Sequence, residues 1–156
     1  MQVIEAVPGH EVLELNYPLV SAFLQRFIRE ELEWRGFHKA VVASSGGVDS
    51  ALTVALAAKA LGPENVYTIF MPHAISRPES AQHADLVAKT YGVHYEVVDI
   101  TAMVEGYAAQ TPSLTARRKG NVMARARTIV GFDKSEEYGG LHLGTGNRTE
   151  RLFGYY

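Results

Sequence analysis

The chain has 156 residues, enough for one domain with a real core, and its 47% hydrophobic and 21% charged content is that of an ordinary globular protein. A formal charge of -2 and a pI near 6.3 leave no basic footprint for nucleic acid or an anionic membrane, so composition points to a small-molecule task. The absence of cysteine excludes disulfides, thiolate metal sites and a cysteine nucleophile within these residues; with no signal-like N-terminus and no membrane-spanning apolar stretch, a cytoplasmic protein is expected.

Met1 to Asn16 reads as an irregular lead-in around Pro8-Gly9. From Pro18 to Trp34 apolar residues recur at Val20, Phe23, Leu24, Phe27, Ile28 and Leu32, the spacing of an amphipathic helix that Gly36 ends. Its aromatic and aliphatic stripe is most simply core, with a dimer contact as the alternative. A first strand over Ala40 to Ala43 then meets the small-residue turn Ser44 to Gly47, and the turn passes into a helix through Ala51 to Leu61, stopped by Gly62-Pro63.

The spacing predicts a second strand over Val66 to Met71, a helix opened by Pro78 and closed by Tyr91-Gly92, and a third strand over Val93 to Ile100. After Thr101 the pattern loosens, and Gln110 to Ser113 reads as a loop able to move over a site. Arg117-Arg118-Lys119 introduces a further helix with Val122, Met123, Ala126, Ile129 and Val130 on its buried face and Gly131 as its expected end. A turn at Gly139-Gly140, a fourth strand over Leu141 to Leu143, a turn at Gly144 to Asn147 and a helix at Thr149 complete the chain. Alternating strands and helices with short connections imply an α/β fold, an open parallel sheet with helices on both faces, in a single domain.

The stretch Val41 to Ser50 carries the chemistry. A strand, a glycine turn and a helix N-terminus form an anion site, because free N–H groups and the positive end of the helix dipole face whatever sits on the loop. Ser45 and Ser50 add hydroxyl donors. No Lys-Ser or Lys-Thr pair follows the glycines, so this is not the commonest nucleotide-binding loop; Asp49 stands near the helix start instead. A carboxylate beside a polyphosphate is repelled unless a divalent cation lies between them, which implies magnesium.

Ser45-Gly46-Gly47-Val48-Asp49-Ser50 resembles the Ser-Gly-Gly-x-Asp-Ser loop of the ATP pyrophosphatases, enzymes that cleave ATP between the α and β phosphates. Lys119-Gly120-Asn121-Val122-Met123-Ala124-Arg125 and Gly144-Thr145-Gly146-Asn147-Arg148-Thr149-Glu150 are similar to two later segments of the NAD synthetases within that group, in the same order. The resemblance implies a Rossmann-like fold of the adenine nucleotide alpha hydrolase type. It further implies amidation of deamido-NAD to NAD through an adenylated intermediate, with release of pyrophosphate and AMP. ATP is then a co-substrate, held by Ala43, Ser44, Ser45, Gly46, Gly47, Val48, Asp49, Ser50 and Thr145. By the same likeness magnesium is held by Asp49 and Glu150, deamido-NAD by Arg125, and the enzyme is a homodimer; no residue is singled out as catalytic in its own right. Ala43 stands where the family often has Gly.

Bland readings sit beside these. Glu150 has Arg151 as a possible first-turn partner, Arg117, Arg118 and Arg127 read as a solvated face, and the six histidines, which show no ligand spacing, read as structural or exposed. Family members continue beyond the equivalent of Tyr156, so the chain is expected to be C-terminally incomplete relative to them. Fewer than fifty residues without cysteine precede Ser45, which favours free ammonia over a built-in glutaminase. Another ATP pyrophosphatase, such as a GMP synthetase, or a nucleotide-binding module without catalysis are the alternatives.

Overall fold

The computed structural model describes residues 15–154, so nearly all of the lead-in expected over Met1 to Asn16, like Tyr155 and Tyr156, lies outside the described residues. Four parallel strands, β1 (Ala40–Ser44), β2 (Val66–Phe70), β3 (His94–Val97) and β4 (Leu141–Leu143), form one sheet in the order β3-β2-β1-β4. β1 runs in register with both neighbours, Val41 opposite Tyr67 on one side and His142 on the other. The chain moves outward from β1 to β3, then returns to add β4 on the far side of β1. The reversal leaves a crevice at the carboxyl ends of β1 and β4, where open α/β sheets bind ligands.

Alternation along β1 divides the core. Val41 points into a cluster with Ile69, Met71, Ile100, Val104, Ala126 and Val130, beneath α4 (Thr101–Ala109) and α5 (Ala116–Tyr138). Val42 points the opposite way, into Val54, Ala57, Ala58, Val66, Ala88 and Val93, beneath α2 (Val48–Leu61) and α3 (Pro78–Tyr91). Both faces of the sheet are therefore covered, which is why its central strands read as continuous apolar runs. The expected α/β architecture with helices on both faces is the one observed.

Several local expectations are corrected. The stretch after Thr101 is not loose: α4 fills it, unforeseen because Met103, Val104, Tyr107 and Ala108 leave no charged face to mark a period. α5 does not end at Gly131 but runs on to Tyr138, with Gly139 as its left-handed cap at φ 61°. Gly131 is retained inside the helix because a Cβ there would fall 2.7 Å from the ring of His142 on β4. Ile129, expected on the buried face of α5, is 61% exposed, and β3 is shorter than Val93 to Ile100.

In α1 (Tyr17–Trp34) the stripe is wider than the surface it packs on. Leu32 is buried and Val20, Leu24 and Ile28 are partly covered, whereas Phe23 and Phe27 are exposed. α1 packs on α2. Its aromatic stripe is thus only half accounted for by the core of this chain.

Candidate functional site

The turn after β1 has the shape an anion site requires. Gly46 is at φ 77°, a backbone state that side chains rarely adopt, and a Cβ there would sit within 3.0 Å of the Ser80 backbone at the start of α3. Close approach of two backbones is what this glycine supplies. Ser45 and Ser50 brace the turn: the Ser45 backbone N–H donates to Ser50 Oγ at 3.2 Å, Ser50 Oγ–H donates to Gly47 O at 3.0 Å, and Gly47 N–H donates to Ser45 Oγ at 3.2 Å. No side chain caps the N-terminus of α2, so its first N–H groups face outward from the end of β1. Ala43 keeps ordinary strand geometry, since no non-glycine residue among those described has positive φ.

Beside the turn lies a cavity of about 340 Å³ lined by Ala43, Ser44, Ser45 and Thr145 together with Phe70, Met71, Ser76, Arg77, Ser80 and Arg127. Ser44 is 5% exposed and its Oγ has no hydrogen-bond partner among the described residues. A buried hydroxyl left unpaired is costly, and here it belongs to a residue of the cavity wall, which suits a polar ligand. Phosphate-loop and Gly144–Asn147 residues, remote in sequence, meet because β1 and β4 are neighbours in the sheet.

Asp49, Asn147 and Glu150 are joined by hydrogen bonds, although none of the three lines the cavity. Asn147 Nδ2 donates to Asp49 Oδ2 at 3.3 Å, and the Asn147 backbone N–H donates to Glu150 Oε2 at 2.9 Å. The second bond belongs to a capping box that opens α6 (Arg148–Phe153), with Asn147 as N-cap and Glu150 at the third position. Glu150 does not pair with Arg151; it caps the helix and keeps Oε1 without a partner among the described residues. No group of three or more metal-binding side chains occurs among the described residues. Two carboxylates with spare oxygens fit magnesium, an ion that takes one or two protein carboxylates and completes its shell with phosphate oxygens and water.

Arg125 does not join the cavity. It lines a separate groove of about 490 Å³ on the outer side of α4 and α5, with Met103, Tyr107, Asn121, Val122, Ala126 and Ile129. Of the residues expected to hold nucleotide, Ala43, Ser44, Ser45 and Thr145 line the cavity, whereas Gly46, Gly47, Val48, Asp49 and Ser50 do not, and the Val48 side chain is exposed.

Arg127 is the residue the solvated-face reading missed. It reaches into the cavity, half-buried, and its Nε–H donates to Met71 O at 3.0 Å. Burial pushes its guanidinium pKa down. Helical spacing carried the signal, because Arg127 follows Met123 by four residues and precedes Val130 by three, on the stripe that faces the sheet. Ser76, Arg77 and Ser80 were also unforeseen; the loop and helix start that carry them become part of the site only through the fold.

The loop bearing Ser76 is tied down by His73. Ile75 N–H donates to His73 Nδ1 at 3.3 Å, which leaves Nε2 to carry the proton and donate to Glu105 Oε1 at 3.0 Å. Lys119 Nζ lies 2.6 Å from the same oxygen, and its hydrogen bond holds the Glu105 carboxyl below its usual range. His73 is 3% exposed, so this histidine is structural, as expected.

Comparison with known proteins agrees with the fold. The family model described as NAD synthase matches residues 20–156. The NH(3)-dependent NAD(+) synthetase of Trichlorobacter lovleyi is 52% identical over 143 residues, covering 92% of this chain and 52% of that protein. Among solved structures, the NH3-dependent NAD synthetase from Campylobacter jejuni aligns with TM-score 0.87 at 29% identity, over 92% of this chain and 62% of that one. The glutamine-dependent NAD+ synthetase from Acinetobacter baumannii, solved with ADP, aligns with TM-score 0.86 at 30% identity, over 99% of this chain and 30% of that one. The chain spans about half the length of the curated relatives it matches. With its sheet order, its Ser-Gly-Gly-Val-Asp-Ser turn and a match over nearly its whole described length, the chain belongs to the NAD synthase family.

Proposed function

We propose that this chain forms the ATP-binding part of an ammonia-dependent NAD synthetase. A carboxylate oxygen of deamido-NAD attacks the α-phosphorus of ATP, the bond from that phosphorus to the bridging oxygen breaks, and pyrophosphate leaves with the electron pair. Ammonia then attacks the acyl carbon of the adenylate, the carbon–oxygen bond to AMP breaks, and loss of a proton leaves the amide of NAD.

Charge accumulates on the departing pyrophosphate, and the uncapped start of α2 with the Ser45 hydroxyl stabilises it, while Ser50 Oγ, whose proton goes to Gly47 O, braces the turn. Magnesium, when held by Asp49 and Glu150, would neutralise phosphate charge that two carboxylates otherwise repel. Val48 to Ser50, at the helix start, orient the outer phosphates, while Ala43, Ser44 and Thr145 line the cavity beside them. Arg125, on the other flank of α5, takes an anionic group of the dinucleotide.

One observation carries this reading: the glycine turn opens on a cavity whose wall includes an unpaired buried serine, while its aspartate is joined through Asn147 to a second carboxylate. The full-length protein, given deamido-NAD, ATP, magnesium and ammonia, is expected to form AMP and pyrophosphate. Formation of ADP and phosphate would reject the proposal, and turnover of xanthosine monophosphate instead of deamido-NAD would assign the chain to a different ATP pyrophosphatase.

A homodimer joined through the outer face of α4 and α5 follows from the same reading. Met103, Tyr107, Ile129 and Phe132 are exposed there around the Arg125 groove, an apolar surface suited to a second copy. None of the described helices is long and apolar enough to cross a membrane.

A further inference from the structure

We propose that Arg127 is a phosphate-binding residue of the proposed nucleotide cavity, presenting its two terminal amino groups to a nucleotide phosphate held there. The inference deepens the ATP-binding reading above and rests on it.

Three observations bear on Arg127. Its Nε–H is committed to Met71 O at 3.0 Å, which fixes the plane of the guanidinium and leaves the other N–H donors free. No carboxylate pairs with it among the described residues; the cations that do have acidic partners, Arg26, Arg35, Lys89, Lys119 and Lys134, lie outside the cavity. It lines the same cavity as Ser44, whose buried hydroxyl also lacks a partner.

A half-buried cation without a counter-ion is unfavourable, because desolvation is not repaid by any fixed negative charge. Placing it in a cavity leaves room for an anion that the protein itself does not supply. An anchored planar fork is suited to the oxygens of a phosphate, and Ser44 and Ser45 of the glycine turn line the same cavity. Arg125, two residues earlier, has no such setting: it is exposed and lines the other groove, so the pair divides between the two flanks of α5.

A competing role is a strut that merely ties α5 to the end of β2. Calorimetric titration of the full-length protein with adenosine, AMP and ATP–magnesium separates the two. Arg127→Gln is expected to weaken AMP and ATP by about 10- to 100-fold while leaving adenosine unchanged, because only a phosphate contact distinguishes AMP from its nucleoside. Arg127→Lys keeps the charge and is expected to recover part of that loss. Equal weakening of adenosine and AMP, or unchanged AMP affinity in either variant, overturns the assignment. Should Arg127→Gln fail to fold, the Lys variant alone decides by the same adenosine-to-AMP ratio. Failure of the unsubstituted protein to bind ATP would overturn the nucleotide reading itself, a result distinct from failure at Arg127.

Discussion

Asn147 holds Asp49 at 3.3 Å through its side chain and Glu150 at 2.9 Å through its backbone N–H, so one asparagine sets the spacing of two carboxylates that arrive from different strand ends. The arrangement couples a helix cap to the proposed metal site, and substitutions separate the two roles. Asp49→Asn, at an exposed position, is expected to fold normally and lose magnesium-dependent turnover by at least about 100-fold. Glu150→Gln retains an acceptor for the Asn147 N–H, so it is expected to lose turnover with little change in stability. Glu150→Ala also removes the reciprocal half of the capping box while leaving the Asn147 cap in place, and costs about 0.5–1 kcal/mol. Steady-state assays across magnesium concentration, paired with urea unfolding, check all three; full activity in Asp49→Asn would remove it from the metal role.

Gly46 and Gly47 are adjacent and unequal. Gly46→Ala forces a side chain into a left-handed backbone state, about 1–2 kcal/mol by itself, and drives its Cβ against the Ser80 backbone, which has little room to yield. Gly47 has φ -88°, and its added Cβ would meet only Ser45 Oγ at 3.2 Å. Urea midpoints should therefore fall clearly for Gly46→Ala and little for Gly47→Ala. Equal stability of the two variants would contradict the close approach of the turn to α3.

His142 gives the stability curve an acid-side slope. Burial against Gly131 and Phe132 lowers its pKa below 6.5, so in the folded chain the neutral ring is favoured. The unfolded chain takes up the proton first, and stability falls as pH drops below about 6.5 towards the folded value. His142→Leu is expected to flatten that part of the profile, read as urea midpoints measured from neutral pH downward. An unchanged slope would show that other groups set it.

The two arginine-bearing flanks of α5 predict separable kinetics. Arg125→Ala is expected to raise KM for deamido-NAD by about 10- to 100-fold with KM for ATP nearly unchanged, since Arg125 lies outside the nucleotide cavity. Ile129→Asp, on the exposed apolar face nearby, is expected to shift the protein from dimer to monomer in sedimentation velocity. A monomeric unsubstituted protein would refute the proposed interface.

Much of this was legible in order along the chain. The glycine turn, the strands at Ala40 and Val66, the helix from Pro78 to Tyr91 and the Asn147 turn are local matters, in which backbone preference, capping and period decide within a few residues. Less legible were the features settled by what packs alongside. Gly131 looks like a helix stop by propensity, a cost of about 1 kcal/mol in an interior, yet α5 continues because the missing side chain admits the His142 ring. α4 lacks a polar face to reveal its period, and Phe23 and Phe27 share a spacing with core residues although the sheet and α2 leave them uncovered.

By itself, therefore, the sequence determined which short segment forms a glycine turn entering a helix and which carboxylates are available, because a turn and a helix start are built from contiguous residues. Only the tertiary structure decided that Asp49 meets Asn147, that Arg127 rather than Arg125 lines the cavity beside the glycine turn, and that Ser76 and Ser80 border it. Those relations depend on which strand adds to which side of β1 and on which way a helix is turned against the sheet, and neither is set by residues near to one another in the chain.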